Sequence, residues 1–214
     1  IVPVPKPEGG IRPISVSNFF LKLAGGIALE DGRDRLLPWQ YAEGGSIDGC
    51  KTIIHNCRRL FKEGHTIAKF DIKNAYGEMP RRVCAECVSE SRSVALAEYF
   101  KTVYLRPSVG VIYGPHGSKQ LVDLTEGVRQ GDATSSYIFC RGMDKVIVEI
   151  VRVCGEQGVQ LKTEEIFCYM DDLTIALANI EDLKVVRDVV EEVLGRFDLT
   201  MNASSAKSSA ITAQ

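Results

Sequence analysis

Phe167-Cys168-Tyr169-Met170-Asp171-Asp172, continued by Leu173-Thr174-Ile175-Ala176-Leu177, is the stretch that decides how this chain is read. Two runs of β-favouring apolar residues flank two acids that cannot continue a buried strand. The pattern predicts a β-hairpin with both carboxylates displayed at its tip. Adjacent carboxylates repel, so a fold that fixes them side by side has reason to place a cation between them. On this stretch alone an Asp-rich hairpin turn is an equally good reading. A third carboxylate, and a seat for a phosphate, would decide for the cation.

Working outward, Ala68-Lys69-Phe70-Asp71-Ile72 reads as a second strand ending in a carboxylate. If it pairs beside the hairpin, Asp71 and Asp171 can meet over the same pair of cations. Two-metal sites hold their ions about 3.5–4 Å apart and clamp the attacking and leaving oxygens of a phosphoryl displacement. Magnesium takes few carboxylates and leaves positions for substrate phosphates, so three aspartates on two strands suffice. Taken singly, Asp71 reads as a strand-end acid capping a turn.

Composition narrows the field. At 214 residues, 45% hydrophobic and 25% charged, the chain has the make-up of an ordinary globular protein with a real core. No apolar run approaches the roughly 20 residues that span a bilayer, so no membrane partner is expected. Ile1-Val2-Pro3-Val4-Pro5-Lys6-Pro7 lacks the pattern of a signal peptide and reads as an excerpt from a longer polypeptide. The net charge of −2 hides a gradient: residues 156–214 carry 5 basic and 11 acidic residues, so the acidic excess lies at that end. Such asymmetry suggests one surface for a polyanion and another facing elsewhere, although solvated acidic helix faces explain most of it. Seven irregularly spaced cysteines fit reduced thiols in a nuclear or cytoplasmic protein. Cys84-x-x-Cys87 has no second pair at zinc-finger distance.

Along the chain, Pro3, Pro5, Pro7 and Gly9-Gly10 predict an extended arm and a turn before a short strand over 11–16. Ser17 is expected to cap a helix over 18–29, and Ser46 one over 47–62 with Ile47, Ile54, Cys57 and Phe61 on its apolar stripe. A strand over 66–72, two helices within 81–105, a hairpin over 109–113 and 119–124, and a long helix over 135–154 follow. After the acidic hairpin come a helix over 180–197 and a closing strand over 206–212. This order predicts an α+β fold, a single antiparallel sheet with helices on one face.

Three segments in order carry a resemblance to reverse transcriptases. Phe70-Asp71-Ile72-Lys73-Asn74-Ala75-Tyr76, Glu126-Gly127-Val128-Arg129-Gln130-Gly131-Asp132 and Tyr169-Met170-Asp171-Asp172 resemble that family's A, B and C motifs. Lys6-Pro7 and Arg12-Pro13-Ile14 resemble its fingers motif. Leu36-Leu37-Pro38-Trp39-Gln40-Tyr41 resembles a segment of non-LTR retrotransposon polymerases. The resemblance implies a polymerase palm with partial fingers and no thumb. Residues 1–65 would be a fingers part and 66–214 the palm, with a fingers-like insertion around 81–125. It further implies two Mg2+ ions, with Mn2+ as a substitute, held by Asp71, Asp171, Asp172 and the Ile72 carbonyl. Lys6 and Arg12 would grip the triphosphate, Tyr76 would exclude a ribose 2′-hydroxyl, and Gln130 and Gly131 would line the nucleotide. Lys207, five residues after Asn202 rather than three, would approach the leaving pyrophosphate. The implied partners are an RNA template, a DNA primer and deoxynucleotides. The remainder of a polyprotein (thumb, endonuclease or nucleic-acid-binding domains) would complete the enzyme.

Three sequence features depart from the pattern: Ala133 stands where Pro is common, Gly77 where Asn is common, and Met170 is more usual in retroviral enzymes. Competing readings are an RNA-dependent RNA polymerase, disfavoured by Tyr76, and a nucleotide cyclase, disfavoured by Gln130-Gly131. A decayed or domesticated element serving as an RNA-binding scaffold is disfavoured by the intact carboxylates.

Overall fold

The computed structural model describes residues 1–5, 11–42, 48–106, 108–113, 115–202 and 208–212. Its strands are β1 (Val2–Pro5), β2 (Ile11–Ile14), β3 (Thr66–Asp71), β4 (Val109–Tyr113), β5 (Lys119–Asp123), β6 (Ile166–Tyr169), β7 (Asp172–Leu177) and β8 (Ser209–Ile211). The helices are α1 (Phe19–Gly32), α2 (Gly49–Lys62), α3 (Ala75–Glu78), α4 (Arg81–Glu90), α5 (Val94–Val103), α6 (Ser135–Glu156) and α7 (Asp182–Arg196). The residues form two compact units, one of Ile1–Asp34 with Tyr76–Phe139, the other of Arg35–Ala75 with Cys140–Gln214. The fold is α+β, as the order of elements predicted. The described strands form three separate antiparallel ladders, however, not the single sheet expected.

In the first unit, β1 and β2 make a two-stranded ribbon, with Val4 opposite Arg12. The cap of α1 is Asn18, whose Oδ1 accepts from the Leu21 amide at 2.9 Å, and the helix runs on to Gly32. The carboxamide does here what Ser17 was expected to do one residue earlier. Helix α5 is capped by Ser93, whose hydroxyl accepts from the Leu96 amide at 3.0 Å and donates to Asp31 on α1 at 2.6 Å. Leu96, Tyr99, Phe100 and Val103 form its buried face. Cys84 and Cys87 are buried on α4, and burial raises the Cys84 thiol far above its ordinary range. That is the behaviour of core thiols, and none of the seven cysteines is in a disulfide. Strands β4 and β5 pair as the predicted hairpin.

In the second unit the four-stranded ladder has the order β6-β7-β3-β8, antiparallel throughout. Thr66, Ala68 and Phe70 bury one face of β3, while the other is covered at Ile67 and open toward Lys69 and Asp71. Helix α2 starts at Gly49 behind Asp48, and the expected cap Ser46 lies outside the described residues. Leu60, Ile53, Cys57 and Phe61 pack with Ile67, Phe167 and Ala176, whereas Ile54 is half-exposed. The true apolar stripe of α2 is therefore rotated from the one expected, because Leu60 rather than Ile54 meets the sheet. Helix α7 buries Val186, Val189, Val190, Val193 and Leu194, one face at helical spacing. Among the described residues no helix is long and apolar enough to cross a membrane.

Candidate active site

The second unit gathers the carboxylates. Asp71 closes β3 and lies directly opposite Asp172, the first residue of β7. Cross-strand partners project to the same face, so the ladder sets these two acids side by side. The hairpin loop is Met170-Asp171, between the register partners Tyr169 and Asp172. One of the two acids expected at the tip is thus in the turn and the other already in the ladder. A two-residue hairpin loop needs a positive φ, and Met170 supplies it at 58°.

Each acid has neighbours that suit a negative charge. Asn202 brackets Asp71, its side-chain amide donating to Asp71 Oδ2 at 3.0 Å and its backbone N–H to the Asp71 carbonyl at 2.8 Å. The Asp71 amide donates to Ser208 Oγ at 3.2 Å. Buried Ile72 continues the backbone into a bridge with Met201. Lys69, diagonal to Asp172 across the ladder, holds Asp172 Oδ1 at 2.8 Å. Beneath the turn, burial foremost and then the charges of Asp144, Asp171 and Asp172 push the Cys168 thiol far up.

Among the described residues, no group of three or more His, Cys, Asp or Glu side chains stands ready-made around a metal. The donors present do suit one. They are carboxylate oxygens, the ligand type of hard divalent cations, and Asp172 already faces the Lys69 ammonium at 2.8 Å. Asp71 at the end of β3 and Asp171 in the adjoining turn are the residues that would hold magnesium, with the carbonyl of Ile72, next in sequence after Asp71, as a backbone donor.

The first unit holds Arg12, Tyr76, Gln130 and Gly131. The Tyr76 ring stacks on Phe139 at 4.3 Å and 12°, and its hydroxyl lies 3.4 Å from Ser136 Oγ. The Glu126–Thr134 loop is braced at two points. The Val128 amide donates to the Tyr76 carbonyl at 2.8 Å, and the Ser15 amide to the Gln130 carbonyl at 2.7 Å. Two glycines permit this. A Cβ on Gly127 (φ 71°) would stand 2.4 Å from the Gly77 carbonyl, and one on Gly131 (φ 100°) 2.5 Å from that of Ser15. Gln130 Oε1 is buried and has no hydrogen-bond partner among the described residues, an acceptor still to be satisfied. Arg12 is exposed on β2. Lys6 and Lys207 lie outside the described residues.

Sequence reasoning overlooked the residues that hold the loop. Buried Asp132 accepts from Tyr99 Oη at 2.7 Å, from Tyr104 Oη, and from the Ala133 amide at 2.9 Å. Burial, then Asp132, raises both phenols well above their ordinary range. Arg81, also buried, donates to the carbonyls of Gly127 at 3.2 Å and Tyr104 at 2.7 Å, and Glu126 Oε2 accepts the Arg81 amide at 3.0 Å. Burial foremost, then neighbouring Arg129, lowers the Arg81 pKa. Both guanidiniums lie over the Tyr104 ring, at 5.7 and 5.3 Å. The signal that could have found this cluster was Asp132 itself, an acid just before an apolar helix.

Comparison with known proteins follows the same line. Solved structures with a similar fold include telomerase from Candida albicans in complex with a fragment of telomeric RNA (TM-score 0.60, 14% identity, 89% of this chain and 34% of that one). Another is apo telomerase from Candida tropicalis truncated from its C-terminal domain (TM-score 0.60, 15% identity, 90% and 40%). The chain therefore spans between a third and two-fifths of those chains, and at such identity the likeness concerns fold. A comparison with curated proteins gave no match. The sequence pattern described as "Reverse transcriptase (RNA-dependent DNA polymerase)" matches residues 4–213, and the chain belongs to that family.

Proposed function

We propose that this chain is the fingers–palm core of an RNA-directed DNA polymerase of the non-LTR retrotransposon type, adding deoxynucleotides to a primer 3′-hydroxyl on an RNA template. The observation that carries the reading is the register of β3 against β7, which sets Asp71 opposite Asp172 with Asp171 in the adjoining turn. In this reading residues 1–65 supply a fingers part and 66–214 the palm, with a fingers-like insertion around 81–125.

Bound magnesium ions would supply Lewis acidity to the attacking hydroxyl and to the leaving pyrophosphate. The chain's own residues divide the remaining work. Asp71 and Asp171 hold the cations, and Asp172, already paired with Lys69, shapes the local field. Tyr76, fixed by stacking on Phe139, presents a rigid ring that leaves no room for a 2′-hydroxyl. Gln130 offers its carboxamide oxygen, which has no partner among the described residues, and Gly131 lets the loop close on Ser15 and so line the nucleotide. Arg12 and Lys6 bind the triphosphate, and Lys207 the departing pyrophosphate. The telomerase neighbours, one of them solved with telomeric RNA, support an RNA template. In this reading the protein works in the nucleus or cytoplasm, in keeping with its seven cysteines and no disulfide.

The test is primer extension on poly(rA)·oligo(dT) by a polypeptide that includes a thumb, with and without Asp171→Asn. Loss of at least about a thousandfold in incorporation is expected, since the neutral amide removes a charged ligand of the reacting groups. Full incorporation by Asp171→Asn would sink the metal assignment.

A further inference from the structure

We infer that Gln40 is a positioning residue for Asp171 and Asp172, acting through the backbone of Met170; the purpose of that positioning rests on the polymerase reading above. Met170 sits at φ 58°, a left-handed conformation that residues with a Cβ avoid. Such a residue persists only where its surroundings over-determine it. Here both of its backbone polar groups are held. The Met170 amide donates to Gln40 Oε1 at 3.3 Å, and the Cys168 thiol donates to the Met170 carbonyl at 3.1 Å. Gln40 Nε2 lies 3.5 Å from Cys168 Sγ and closes the ring of three contacts. Gln40 Oε1 also accepts from the Ala42 amide at 3.2 Å, which fixes the carboxamide in its own segment.

Gln40 is fixed from behind as well. Its residue makes a parallel bridge to Cys168, with the Cys168 amide donating to the Trp39 carbonyl at 2.7 Å and the Tyr41 amide to the Cys168 carbonyl at 2.8 Å. Asp144 on α6, buried to 3% exposure, accepts from the Leu37 amide at 3.1 Å and from the Trp39 indole at 3.0 Å. Leu37–Ala42 is therefore a turn that joins β6 through a single parallel bridge at Gln40, pinned by Asp144 and carrying the amide clamp on the Met170 turn. Gln40 and Cys168 are 7% and 0% exposed, so water does not replace either contact cheaply. A swing at Met170 would redirect Asp171 and shift Asp172 from its place opposite Asp71. Neither Gln40 nor Cys168 would touch substrate or cation.

Gln40→Met keeps the volume and removes both the donor and the acceptor. In the metal-free chain, hydrogen exchange at the Met170, Asp171 and Asp172 amides is expected to accelerate about tenfold or more, with β3 and the middle of β7 unchanged. Mn2+ affinity, read by paramagnetic resonance of the free ion, is expected to fall about tenfold, the usual effect of losing a residue that orients a ligand. Cys168→Ala should act in the same direction and Cys168→Ser, which keeps a donor for the Met170 carbonyl, should not; this pair also decides the matter if Gln40→Met does not fold. Wild-type exchange and Mn2+ affinity in Gln40→Met would overturn the inference. So would acceleration spread evenly over the β3–β7 ladder, the mark of a merely structural role. A wild-type chain that binds no Mn2+ would count against the polymerase reading alone, because exchange measured without metal still judges the clamp.

Discussion

The Glu126–Thr134 loop and the Tyr169–Asp172 turn meet the same problem by opposite chemistry. Each must hold backbone in conformations that ordinary residues avoid. The loop uses glycine at its left-handed positions, Gly127 and Gly131, so its conformation carries little intrinsic strain. What it needs is to be held against Tyr76 and Ser15, and an ionic cluster does that: Asp132 under two phenols, Arg81 on two carbonyls. The turn has Met170 at the left-handed position, and its strain is offset by a neutral amide and a thiol. A charged clamp beside Asp171 and Asp172 would alter the field there. Neutral contacts fix the backbone without adding charge beside Asp171 and Asp172, where Lys69 is already paired with Asp172.

This contrast predicts unequal sensitivity. Asp132→Ala should have the largest effect on stability, because it leaves Tyr99 and Tyr104 hydroxyls buried without their acceptor. At about 1.5–3 kcal/mol for each hydrogen bond to a charged group, the loss should be about 3 kcal/mol or more. Urea unfolding should show a lower midpoint with unchanged slope. A loss under about 1 kcal/mol would mean that the ionic cluster does not hold the loop, and the contrast with the turn would collapse.

How far the sequence alone revealed these two regions follows from the range of the interactions. The alternation and turn chemistry that mark β6 and β7 are local, and so is the valine spacing of α7, so these elements were legible. The family resemblance carried by the three motif segments was legible too; of their residues, Asp71, Asp171 and Asp172 lie in one unit and Tyr76, Gln130 and Gly131 in the other. Sheet order was not, since pairing β3 between β7 and β8 depends on contacts far apart in sequence. Neither was the clamp: Gln40 and Met170 are 130 residues apart, and nothing in Trp39-Gln40-Tyr41 says which strand it will join. Asp132 was hidden because its partners are Tyr99 on α5 and Tyr104 at the cap that ends it, about thirty residues earlier in an apolar segment that reads as ordinary core.

A milder prediction tests the ionic side of the contrast by pH. Tyr104 is raised above its ordinary pKa of about 10, by burial first and by Asp132 second. The folded state therefore keeps a proton that the unfolded chain releases above that pH. Its contribution to stability is complete below pH about 10 and declines above it, at about 1.4 kcal/mol per pH unit. The buried cysteines add a slope of their own, which a Tyr104→Phe chain retains. Comparing the two chains from pH 8 to 11 by urea unfolding isolates the phenol: the curves should converge as pH rises. Parallel curves would show that Tyr104 does not titrate against Asp132.

The smallest effect on stability is expected at Lys69, and it bears on the turn's side of the contrast. Lys69 and Asp172 are each about half exposed, with side-chain accessibilities of 47% and 50%. Ion pairs so placed contribute about 0–1 kcal/mol, so Lys69→Met should barely move the unfolding midpoint. Its electrostatic effect is a different matter. The ammonium neutralises one acid of a pair that the ladder sets side by side, and removing it leaves Asp71 and Asp172 facing each other with one positive charge fewer. Mn2+ affinity in the substitution should therefore rise by about two- to tenfold, most clearly at low ionic strength, where exposed charges are least screened. Unchanged affinity would mean that Asp172 takes no part in the cation's field, and that Asp71 and Asp171 alone make the site.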